Sequence, residues 1–172
     1  MDVKKLGLLP YRQAWQIQLS AVAALQKQEG GEALLLVEHP PVFTLGFHGN
    51  AGNMLLSETM LSQRGIELIR IERGGDITYH GPGQLVAYPI LDLRAHGLGV
   101  KAYVHLLEES VIRLLAEYGI DALRDPDAPG VWLDAGTPRM RKICALGVKV
   151  SHGVTYHGLA LNVNTDLTPF SY

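Results

Sequence analysis

The chain has 172 residues and a mass of 18.8 kDa, the scale of one domain. Hydrophobic residues at 47% and charged residues at 19% exclude a disordered chain, and a net charge of −2 argues against a nucleic-acid binder or a polybasic membrane protein. The single cysteine, Cys144, forbids an internal disulfide and points to a reducing compartment.

No apolar run reaches the ~20 residues of a membrane span. The patch before Pro10 is too short for a signal-peptide core, so a cytoplasmic protein is expected. Tyr11, Trp15, Leu19, Val22 and Leu25 recur at helical spacing, and Gly30-Gly31 stops that helix. Ala33 to Val37 reads as a buried strand, broken by Pro40-Pro41 and resumed over Val42 to Leu45. Ser57 caps a short helix that runs to Arg64 and Gly65. Ile66 to Ile71 and Leu85 to Leu93 read as strands. Val104, Leu107, Val111, Leu114 and Leu115 form the stripe of a second long helix, closed by Gly119. Val131 to Leu133, Ile143 to Val150 and Val154 to Val163 are the last strands. The short link Ser151-His152-Gly153 forces antiparallel neighbours. These elements predict a mixed α/β domain of the α+β type, a mostly antiparallel sheet with helices packed against it on one side.

Three stretches carry chemistry. Arg73 to Gln84 places four glycines and a proline within twelve residues, between two strands. Glycine lets backbone N–H groups approach a ligand closely, and Arg73, Asp76, Thr78, Tyr79 and His80 supply polar groups. The same composition also suits an ordinary decorated turn. It is neither a dinucleotide fingerprint nor a phosphate loop. The second stretch is Arg139, Arg141 and Lys142 leading into Ile143 to Val148. Partial burial would bring a lysine there toward proton-transfer range, whereas a solvated basic turn needs no function. Its charge also suits an acidic partner protein. The third is Thr155 to Val163, which repeats the Thr-Tyr-His-Gly of residues 78 to 81. Two strands could present equivalent side chains to one cleft, and Gly158 and Ala160 would leave room for an aliphatic ligand. Seven histidines, His48 among them, raise the question of a metal, but no His-Glu-x-x-His spacing occurs. Cys144 reads as a small buried residue before it reads as a nucleophile.

At these segments the sequence resembles the lipoyl (octanoyl) transferases of lipoate biosynthesis. The likeness rests on Arg73 through Pro89, Lys142-Ile143-Cys144-Ala145-Leu146-Gly147-Val148 and Val154 through Val163, with Glu38 to Gly46 as the family's early strand pair. It implies the fold shared with biotin and lipoate protein ligases. It implies transfer of an octanoyl group from octanoyl-acyl carrier protein to a lysine of a lipoyl domain through a cysteine acyl-thioester. The expected acceptors are the lipoyl domains of 2-oxoacid dehydrogenases and the glycine cleavage H protein. No cofactor, metal, membrane or nucleic acid enters, and a monomer is expected. Lys142 matches the family's catalytic lysine. The substrate-binding stretches match Arg73, Gly74, Gly75, Asp76, Ile77, Thr78, Tyr79 and His80, then Ala145, Leu146 and Gly147, then Gly158, Leu159 and Ala160. The family nucleophile belongs to a Pro-Cys-Gly motif just beyond the equivalent of Tyr172, and residues 1–172 contain no such motif. The expectation is therefore one octanoyltransferase domain without the C-terminal part that carries it. Two other readings stay open: a noncatalytic acyl-binding module, and an ATP-dependent ligase of the lipoate or biotin type.

Overall fold

The computed structural model describes residues 1–47 and 49–172; His48 lies outside the described residues. Seven strands build the larger sheet in the order β1 (Asp2–Leu8), β2 (Ala33–Glu38), β6 (Gln84–Ile90), β10 (Val154–Asn162), β9 (Arg141–Ser151), β8 (Val131–Leu133) and β7 (Leu123–Arg124). Among the described residues, only β1 and β2 run parallel within it. A smaller sheet pairs β3 (Val42–Leu45) with β4 (Glu67–Arg70) in parallel and with β5 (Ile77–His80) in antiparallel register.

The local chemistry explains most boundaries. The apolar stripe becomes α1 (Tyr11–Gln26), preceded by Pro10, whose missing N–H costs nothing at a helix start. Ser57 caps α2 (Glu58–Gln63) by accepting the Met60 N–H at 3.3 Å. The second stripe becomes α3 (Val100–Glu117), and Gly119 adopts a φ of +71° just past its end. The β9–β10 hairpin turns on His152 (φ +49°) and Gly153 (φ +92°), the double positive φ of a tight primed turn.

The two long helices cover opposite faces of the larger sheet, not one side as the element pattern suggested. Side-chain alternation separates the faces. Val86, Tyr88 and Ala160 pack with Tyr11, Ala14 and Val22 of α1. Cys144 and Leu161, with the partly buried Leu159, pack with Val111 and Leu115 of α3. Leu146 and Val148 continue that second layer beneath Tyr103 and Leu107. Val42, Ile69 and Ile71 tie the smaller sheet into the α1 core. Its other face holds a small core of Phe43, Leu61, Ile66 and Tyr79. Among the described residues no helix is long and apolar enough to cross a membrane.

Candidate active site

The stretch after β4 is anchored by a buried arginine. Arg73 Nη2 donates to the Thr44 carbonyl at 2.8 Å and to Thr44 Oγ1 at 2.9 Å, while Nη1 donates to the Gly74 carbonyl at 2.9 Å. Burial lowers its pKa, opposed by the nearby Tyr11, Tyr88 and Asp76. The backbone of this stretch is pressed against its neighbours. A Cβ on Gly46 would lie 2.1 Å from the Gly75 carbonyl oxygen. One on Gly147 would lie 2.8 Å from Arg73 Cδ and 3.0 Å from the Gly74 oxygen. Glycine at these positions lets the loop sit directly on β3 and β9. The Gly74 N–H is itself spent on the Val148 carbonyl at 3.1 Å.

Beside this loop opens a cavity of about 840 Å³, within the ~300–1,000 Å³ usual for small-molecule sites. It brings together Arg73, Gly74, Gly75, Asp76, Ile77, Thr78 and His80 with Lys142, Ala145, Leu146, Gly147, Gly158, Leu159 and Ala160. Tyr79 is the exception. Its ring turns into the small core, 5.3 Å from that of Phe43 and 5.7 Å from that of Phe170. Asp76 works as a tie for the preceding loop, accepting the Asn50 N–H at 2.9 Å and a hydrogen bond from the Asn53 amide. Those bonds hold its carboxyl below the usual range. Gly158 lines the cavity, and its missing side chain also serves the sheet. A Cβ there would meet the Ala87 carbonyl oxygen at 2.2 Å, so the missing side chain admits the neighbouring strand.

The repeated Thr-Tyr-His-Gly sequences do converge through their histidines. The His80 ring stacks on Tyr11 with centroids 5.7 Å apart, and His157 Nδ1 lies 3.4 Å from the Tyr11 hydroxyl. Both are buried and held neutral. Burial, with His39, Arg73 and His157 nearby, pulls His80 down to about 3 against its bond with Gln84. Burial, Arg73 and Lys149 bring His157 to about 3. His157 also carries a φ of +56°, and its N–H is taken by Gln18 Oε1 at 2.8 Å. His39 packs behind Tyr11 and His80, with ring centroids 5.1 and 5.6 Å away. Its Nδ1 donates to the Leu9 carbonyl at 2.7 Å, which leaves Nε2 to accept the Tyr88 hydroxyl at 2.8 Å.

Lys142 stands at the other side of the cavity. Its Nζ donates to the Pro129 carbonyl at 3.0 Å and lies 4.6 Å from the centre of the Trp132 ring. Partial burial lowers its pKa, against the raising effect of Cys144, Asp125 and Glu108. Cys144 is fully buried in the α3 core, and burial pushes its thiol up to about 12. Such a thiol is not a nucleophile at neutral pH. The walls also include Tyr11, Val86, Tyr88, Val100, Val104, Leu167 and Phe170, none of them a candidate site residue, although Val86 and Tyr88 lie within the Arg73–Pro89 stretch. Among the described residues no three His, Cys, Asp or Glu side chains are grouped as metal ligands.

The sheet thus carries a helix on each face and a part-apolar cavity with a buried arginine loop on one side and a lysine on the other. The lipoyl protein ligase A/B catalytic domain model matches residues 10–172, and the chain belongs to that family. It is 57% identical over 171 residues to an octanoyltransferase of Bacteroides thetaiotaomicron, covering 96% of this chain and 75% of that one. It is 57% identical over 170 residues to that of Bacteroides fragilis (96% and 77%) and 46% identical over 168 residues to that of Desulfotalea psychrophila (97% and 74%). Among solved structures, a bipartite lipoate protein ligase of Thermoplasma acidophilum superposes with a TM-score of 0.71 at 21% identity, over 97% of this chain and 64% of that one. A lipoate-protein ligase A bound with ATP gives 0.64 at 20% identity, over 97% and 69%. Those two likenesses are of fold.

Proposed function

We propose that the protein is an octanoyltransferase of lipoate biosynthesis, moving an octanoyl group from octanoyl-acyl carrier protein to a lysine of a lipoyl domain. The observation that carries the mechanism is Lys142, held by a carbonyl and an aromatic face at the edge of a cavity with apolar walls. The attacking thiol of this reading is the Pro-Cys-Gly cysteine, which is not among residues 1–172. Lys142 takes the proton of that thiol, and the thiolate adds to the thioester carbonyl of the donor. The tetrahedral intermediate collapses with loss of the carrier's thiolate, which Lys142 reprotonates. The amine of the acceptor lysine then attacks the enzyme thioester, an amide forms and the enzyme thiol is regenerated. Thioester exchange is close to neutral and amide formation is downhill, so the reaction as a whole needs no ATP.

The acyl chain lies against Val86, Val100, Val104, Leu146, Leu159 and Phe170. At ~0.8 kcal/mol per buried CH₂, an eight-carbon chain draws several kcal/mol from such walls. The glycine-rich loop from Arg73 to His80 grips the donor, and Arg73 acts through the loop it pins. The acceptors are lipoyl domains of 2-oxoacid dehydrogenases and the glycine cleavage H protein. The protein works as a cytoplasmic monomer.

The test is octanoyl transfer by the full-length protein, read as the mass gain of a lipoyl domain incubated with octanoyl-acyl carrier protein without ATP. Lys142→Ala and Lys142→Arg are expected to abolish transfer while the circular dichroism spectrum is unchanged. Undiminished transfer by both removes Lys142 from the mechanism. Adenylate formation with ATP and free lipoate would replace the transferase with a ligase.

A further inference from the structure

The peptide that accepts from Lys142, Pro129–Gly130, is bonded on its other side by a carboxylate outside the cavity lining. Glu108 lies in the middle of α3 and is 3% exposed. A buried carboxylate is costly unless each oxygen is engaged. Glu108 Oε1 accepts the Gly130 N–H at 3.0 Å. Its Oε2 lies 3.2 Å from Arg124 Nε and 3.3 Å from His105 Nδ1. Gly130 has a φ of +145°, and a Cβ there would come 2.9 Å from Lys142 Cε and 2.9 Å from the Cys144 oxygen. The 128–130 loop is therefore packed against the lysine itself. On its near side, Trp132 Nε1 donates to the Ala128 carbonyl at 2.9 Å, and the same indole lies beneath Lys142 Nζ. The Pro129 carbonyl, which accepts from Lys142, sits between these two fixed points.

We propose that Glu108 is a positioning residue for Lys142: by holding the Gly130 N–H it fixes the Pro129 carbonyl, and with it the direction of the lysine amine. This rests on the catalytic reading of Lys142 given above. An amine that must take a proton needs its N–H groups spent elsewhere and its lone pair turned to the reacting atom. The Pro129 carbonyl and the Trp132 ring provide that orientation. The charge of Glu108 has a second effect. Lys142 faces Glu108 from α3, Asp125 from the segment after β7, and Cys144 on its own strand. Glu108 in turn faces His105 and Arg124, and Arg124 also pairs with Glu109. Removing the Glu108 charge leaves Lys142 less favoured as the ammonium.

The two roles separate by substitution. Glu108→Gln keeps an oxygen for Gly130 and drops the charge, whereas Glu108→Ala drops both. In the full-length enzyme, Glu108→Ala is expected to lose kcat by roughly 100-fold, the scale of a 1 Å misplacement, with the KM for octanoyl-acyl carrier protein unchanged. Glu108→Gln should restore most of that loss. Both variants should move the Lys142 titration to lower pH, followed by NMR on protein labelled with ¹³C at lysine Cε and assigned with Lys142→Arg. The NMR reading does not need turnover, so it stands apart from the test of the transferase function. Trp132→Phe keeps the aromatic face and frees Ala128, so it tests the opposite clamp should Glu108→Ala fold poorly. It should lower kcat in the same way and shift the Lys142 Cε resonance. Full kcat in Glu108→Ala, or a Lys142 resonance and midpoint unmoved in every variant, overturns the proposal.

Discussion

Single side chains here divide between the cavity and the core more sharply than their chemistry suggests. Cys144 is fully buried, with its thiol pushed up to about 12. Cys144→Ala should leave octanoyl transfer intact and cost about 1 kcal/mol of stability, the transfer energy of one small apolar group. Chemical denaturation beside a transfer assay measures both, and loss of transfer would return Cys144 to the mechanism. This reading was available from the residue type, because a lone cysteine inside an apolar strand is most often core. Tyr11 and Tyr88 were not legible in the same way. Their spacing marks them as inward-facing, and periodicity does not distinguish an aromatic that fills a core from one that lines a cavity. Tyr79 shows the converse. It stands inside the most specific motif of the chain, yet its ring faces the small core.

At the scale of elements, the strands that escaped the sequence reading are β1, β5 and β7. β1 is almost wholly exposed and carries Lys4 and Lys5, so no apolar pattern announces it. β5 is hidden within the glycine-rich stretch, and β7 is two residues long. The helices and the longer strands were readable because each buries a face with a regular period. The placement of α3 across the sheet from α1 was not, since nothing in one helix names the face it covers. The contact between the arginine loop and β9 is the most exacting of these arrangements. Gly147→Ala should cost about 1–3 kcal/mol by forcing Arg73 and Gly74 apart from the strand. It should also raise the KM for octanoyl-acyl carrier protein, because the loop proposed to bind the donor is displaced. A KM unchanged from wild type would separate the loop from donor binding.

For the whole molecule, the buried histidines set a dependence on acid. His80 and His157 have folded pKa values of about 3, below the ordinary ~6.5 of an unfolded histidine. The unfolded chain takes up protons first as the pH falls, so stability is full above pH ~6.5 and is lost progressively between ~6.5 and ~3. Each group contributes about 1.4 kcal/mol per pH unit across that window. The midpoint of urea unfolding should therefore fall steeply from pH 7 to pH 4, and His157→Gln should flatten the slope by about one proton. A midpoint independent of pH would mean that the histidines are not buried neutral in solution.

The walls of the cavity are drawn from Tyr11 on α1, Arg73 after β4, Lys142 on β9 and His157 on β10. No hairpin or helix pair contains more than a part of it. The proposed acyl site is therefore assembled only as the topology closes, and its occupancy should be linked to the folded state. A bound octanoyl chain should therefore slow hydrogen exchange at the slowest amides of β10 and α1 together, remote turns of α1 included, because those amides open only when the whole sheet comes apart.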